Sequence, residues 1–101
     1  MPVFRLTPRA GTETSAQWRA SSMRPYCLWI RAGDEYEARR AVARATHVDL
    51  PPGAPETLEP WKDEELVACE YDDSKDVSAG VIYVRRYPVA VRAMQQRRLS
   101  A

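Results

Sequence analysis

His47 is the only histidine in the chain, and Cys27 and Cys69 are the only thiols it could activate. A Cys-His pair is a known nucleophile and base. Both cysteines, however, fall in apolar stretches that read as strands, where thiols are usually inert. In a reducing compartment they are expected to be small core residues, the alternative being a disulfide between adjacent strands. His47 ends a helical stretch, where a cation suits the negative end of the dipole. These three residues do not have the spacing of a zinc site. Asp72, Asp73 and Asp76 are the densest acidic cluster. They lack the ligand series and closing Glu of an EF-hand, so a solvated turn is expected. Glu64, Glu65 and Glu70 are carboxylates of the kind used in acid-base work, but nothing sets two of them across a cleft. There is no phosphate loop, dinucleotide glycine pattern or nucleophile elbow. No catalytic residue, metal site or cofactor is expected.

Arg85, Arg86, Arg92, Arg97 and Arg98, near Tyr83 and Tyr87, raise a different chemistry. Arginine on phosphates and tyrosine under bases can hold single-stranded nucleic acid. The charge is segregated along the chain. Residues 1–48 carry eight Arg against four acids, residues 49–76 two Lys against ten acids, and residues 77–101 five Arg and no acid. A net charge of +1 is unlike a dedicated nucleic-acid domain. The acidic block is the favoured partner for the basic end, within one subunit or between two.

The elements that position these groups centre on residues 26–47. Residues 26–32 read as a strand, with Tyr26, Leu28, Ile30 and Ala32 on one face and Cys27, Trp29 and Arg31 on the other. Gly33 turns the chain, Asp34 is a good N-cap, and Glu37 completes a capping box. Ala38, Ala41, Val42 and Ala45 then recur at helical spacing as a buried stripe. Arg39, Arg40 and Arg44 are expected on the solvated face, with Glu35 and Arg39 as an i,i+4 pair. Residues 3–7 are a first strand, 66–71 a third and 81–87 a fourth, the last two forming a hairpin with a long acidic tip. Pro88 stops the fourth strand and opens a short helix over residues 89–99. Residues 9–25 form a long polar connection in which residues 15–20 make a helical turn, or Trp18 pins the loop to the body. Residues 48–65 form a second connection, stiffened by four prolines, with Trp61 docked on the body.

The expected fold is therefore one α+β domain over residues 1–101. It has a four-stranded, mostly antiparallel sheet in strand-strand-helix-strand-strand order, one main helix on one face and a short C-terminal helix. Such a chain buries roughly 60–65% of its unfolded surface. No apolar run approaches the roughly 20 residues of a membrane span. The opening Met-Pro-Val-Phe-Arg-Leu is not a basic segment followed by an apolar one, so no signal peptide is expected.

The run Trp18-x-x-Ser21, then Trp29-Ile30-Arg31-Ala32-x-x-Glu35-x-x-Ala38-Arg39, resembles small bacterial domains of uncharacterised function. In these, a strand ending in Val-or-Ile-Arg-Ala leads into a helix that opens with acidic residues and Ala-Arg. Pro60-Trp61 and Cys69 fit the later part, so the likeness runs from about Trp18 to Cys69. It implies a bacterial, cytoplasmic domain and no particular activity.

One helix covers one sheet face, so Trp29 must be covered by something else: a Trp-bearing connection, the C-terminal helix or a second subunit. The leading expectation is a non-enzymatic protein-interaction module, self-associating as a homodimer, with Trp18, Trp29 and Trp61 as interaction residues. The alternative is a small nucleic-acid-binding regulator using the five arginines of the C-terminal segment.

Overall fold

The computed structural model describes residues 1–23, 25–53, 59–84 and 87–90, the last four by their backbone. In chain order these form β1 (Val3–Pro8), a 3-10 turn (Ala16–Ala20), β2 (Leu28–Arg31), α1 (Glu35–Thr46), a second 3-10 turn (Pro60–Lys62), β3 (Val67–Tyr71), β4 (Val81–Val84) and β5 (Tyr87–Ala90). The α+β class is as expected. The sheet is antiparallel throughout, in the order β3-β1-β2-β4-β5.

Three expectations about the strands are corrected. Four strands become five, because the expected fourth strand divides into β4 and β5. Residues 66–71 and 81–87 do not form a hairpin: β3 pairs with β1 and β4 with β2. The nine residues between them reach up to about 30 Å, ample for the roughly 14 Å across three strand spacings. Finally, Val89 and Ala90 belong to β5 and do not start a helix; the rest of that expected helix lies outside the described residues. Pro88 is tolerated because β5 is at the sheet edge, where one side of the backbone has no partner strand.

The helix starts as its sequence dictates. The Asp34 side chain accepts from Glu37 N at 2.7 Å, and Glu37 reaches back to Gly33 N at 2.9 Å. A Cβ on Gly33 would lie 2.6 Å from the Glu37 carboxylate, so glycine lets the two approach. Helix α1 packs over β3, β1 and β2. Leu6, Leu28, Ile30 and Ile82 from the sheet meet Ala38, Val42 and Ala45 from the helix in one core.

Both long connections are pinned to that core. The rings of Trp18 and Trp61 meet edge to face, 5.1 Å apart at 82°. Trp18 Nε1 donates to Thr12 O at 3.0 Å, and Trp61 Nε1 to Ser21 Oγ at 3.0 Å. Residues 15–20 contain the expected helical turn, capped by Ser15. The end of α1 is tied to this turn, with Ser22 N donating to Thr46 O and Val48 N to Ala20 O.

Arg39 is not on the solvated face. It is 7% exposed, because the Pro60–Lys62 turn packs on a second side of α1. Its Nε donates to Glu35 Oε1 at 3.1 Å and its Nη1 to Trp61 O at 3.3 Å. Removing the guanidinium takes the donor from a buried carbonyl. Arg39→Ala is expected to cost about 1–3 kcal/mol, whereas exposed Arg40→Ala should stay within about 0.5 kcal/mol. Urea denaturation of both variants measures the difference.

Candidate functional site

The sheet face opposite α1 carries the side chains of alternate parity. Register puts Glu70, Arg5, Trp29 and Tyr83 in one row across β3, β1, β2 and β4. Adjacent members of such a row lie about 5 Å apart, so they interact in pairs. Arg5 Nη2 bonds Glu70 at 2.9 Å and its Nη1 bonds Asp72 at 3.0 Å. Trp29 Nε1 donates to the same Asp72 oxygen at 3.2 Å.

The loop from Asp72 to β4 folds over one end of this face. Lys75 reaches back so that its ammonium lies 4.8 Å from the Trp29 ring and 4.9 Å from the Tyr83 ring. Two aromatic faces share one cation. Arg31 Nε holds Val77 O at 2.6 Å. Val3 and Val77 are buried yet outside the main core. Asp73 and Asp76 remain exposed.

Asp72 is the joint of this network. The hydroxyl and amide of Ser74, then the Trp29 indole, hold its carboxyl down at about 2 against an opposing effect of burial, with the Arg5 guanidinium adding least. The cluster read as a solvated turn thus contains one structural carboxylate. Its parity was the available signal, since 72 follows 70 on the face that holds Glu70.

At the other end of the face lies an open hollow of about 690 Å³, bordered by Arg5, Thr7, Arg9, Cys27, Trp29 and Glu70. Arg9 Nε donates to Glu64 O at 2.8 Å, and Thr7 Oγ1 meets Cys27 Sγ at 3.6 Å.

Of the three tryptophans expected at an interface, Trp18 and Trp61 are buried at 8% and 0% exposure, and only Trp29 presents surface. Arg85, Arg86, Arg92, Arg97 and Arg98 lie outside the described residues. Arg5, Thr7, Arg9 and Lys75 join Trp29 with no motif in the sequence to mark them.

The Cys-His pair does not assemble. His47 Nδ1 bonds Glu59 and its Nε2 lies 3.3 Å from Asp49. Cys69 belongs to the core face, whereas Cys27 borders the hollow on the reverse face. Both thiols are free, with the sheet between them. Burial pushes the Cys69 thiol up to about 11, with Arg39 the largest opposing influence. Among the described residues no His, Cys, Asp and Glu side chains gather as a metal site, and no helix is long and apolar enough to cross a membrane.

No family model matches this chain, and no curated protein or solved structure is similar enough to count as a match.

Two measurements check this geometry. Asp72 has a folded pKa below its ordinary 3.8, so its contribution is full above that value and is lost as pH falls toward about 2. Thermal midpoint plotted against pH over that window should fall more steeply for the native chain than for Asp72→Asn. Under alkylation near pH 8, Cys27 should react at least about tenfold faster than Cys69, whose thiolate is scarce; mass spectrometry of the labelled peptides reads the ratio.

Proposed function

We propose that this protein is a small non-enzymatic interaction module that associates with a second copy of itself through the reverse face of its sheet. The observation that carries the reading is Trp29. It is partly exposed at the centre of a built aromatic and charged row, on a face that no described helix covers. Tryptophan and arginine at the centre of a patch are the residues that most often anchor an interface. The occupant is argued from charge. The same face holds exposed Arg9 at the hollow end and exposed Asp73 and Asp76 at the loop end. A face with both signs at opposite ends suits its own two-fold image.

The size of the face sets the strength. Five strands about 4.8 Å apart and five residues long give a plan area of roughly 400 Å². Stable complexes bury about 800 Å² per partner. The homodimer is therefore weak, forming in the micromolar range and above. Free Cys27 and Cys69 accord with the cytoplasm as its compartment.

Sedimentation from micromolar to millimolar concentration, at low and high salt, tests the reading. A reversible dimer is expected, weaker in salt, with Trp29→Ala shifting it toward monomer while circular dichroism stays native. A monomer under all conditions overturns it.

A further inference from the structure

The reverse face is uneven as well as bipolar. One end is raised by the loop that starts at Asp72, and the other is sunk at the hollow beside Trp29. The raised end is held from within. Lys75 is drawn onto Trp29 and Tyr83, Asp72 is taken up by Arg5, Trp29 and Ser74, and the Val77 carbonyl is held by Arg31. These inward anchors leave the Asp73 and Asp76 carboxylates at the surface of a preformed knuckle. Asp73 accepts a long bond from Tyr71 at 3.3 Å, and Asp76 lies 3.7 Å from Arg31.

The sunken end has the opposite character. Among the described residues that border it, Glu70 is the carboxylate, and Arg5 engages it. Arg9 is exposed at its rim, with Nε steadied on Glu64 O. Glu64 also borders a separate hollow with Asp34 and Tyr36 on the helix side. Thr7, one pleat from the central row, adds a hydroxyl.

We propose that in the dimer the knuckle of each copy seats in the hollow of the other, with Asp73 and Asp76 against Arg9 and Thr7 of the second copy. This rests on the self-association reading and names its contacts. A two-fold axis lying between the two sheets, parallel to the Arg5–Trp29 row, turns one face onto the other and exchanges the two ends. It brings the two Trp29 side chains together at the centre and places raised on sunken and acid on base at both ends. Face-to-face sheets lie about 10 Å apart, a gap the inward-facing side chains fill. Because the contact occurs twice, one substitution changes two ion pairs.

Charge exchange provides the test. Arg9→Glu sets a carboxylate against Asp73 and Asp76 at both contacts, and Asp73→Arg with Asp76→Arg sets guanidinium groups against Arg9 at both. Each variant alone should dimerise at least about tenfold more weakly than the native chain at low salt. Mixed in equal amounts, they restore attraction at both contacts, and a mixed dimer of native strength should appear in sedimentation and native mass spectrometry. All altered positions are exposed, and circular dichroism confirms that the variants fold. Arg9→Gln, which removes the charge without reversing it, should give an intermediate loss. If the native chain dimerises but the variants dimerise as well as it does, or their mixture gains nothing, the seating is overturned and self-association stands. If the native chain never dimerises, both readings fall.

Discussion

A single helix about 10 Å wide faces a sheet about 19 Å across, measured between its outermost strand axes. Everything else in the fold answers to that shortfall. The apolar face of the sheet cannot be closed by α1 alone, so the chain brings two tryptophans to its flank from connections with little regular structure. Trp18 and Trp61 meet edge to face, and each indole N–H finds an oxygen on the first connection. Arg39 is drawn into the same layer by the Trp61 carbonyl. With most of its buried apolar side chains on the helix side, the chain fills the reverse side of the sheet by other means.

Those means are electrostatic. The central row of the reverse face is made of paired charges and aromatic rings, which tolerate water at one edge and a neighbour at the other. Exposed ion pairs contribute little one at a time. Here one carboxylate, Asp72, serves a guanidinium, an indole and a turn, so its value lies in fixing where three elements sit relative to one another. The arrangement presents a well-fixed pattern of charge around two aromatic rings, Trp29 and Tyr83.

Much of this was legible from residue types. The unit spanning residues 26–47 follows from alternation in Leu28-Trp29-Ile30-Arg31, the Gly33-Asp34 punctuation and the alanine period. The helical turn before Ser21 and the docking of Trp61 were legible for similar local reasons. Strand neighbours were not. Proximity along the chain favours a hairpin between β3 and β4, and only the distant partner β1, with Arg5 aligned to Glu70, selects the observed order. Arg39 misleads because helical period assigns one buried side, whereas the Pro60–Lys62 turn supplies a second. Asp72 reads as one of three similar acids until its face of the sheet is known.

The pairing of β1 with β3 has a consequence for how the molecule comes together. Phe4 lies opposite Tyr71, and Arg5 bonds acids 65 and 67 positions later. Such contacts require most of the chain to be made and its ends drawn together before any bond forms, an entropic cost that grows slowly with the length of the closed loop. Domains dominated by distant pairings fold in the slower part of the range, milliseconds to seconds. Until β3 arrives, β1 has a bare edge beside β2, and the unfinished sheet is open to the wrong strand. The charged pair that later steadies the reverse face also sits on that edge, where an unpaired arginine discourages a mistaken neighbour.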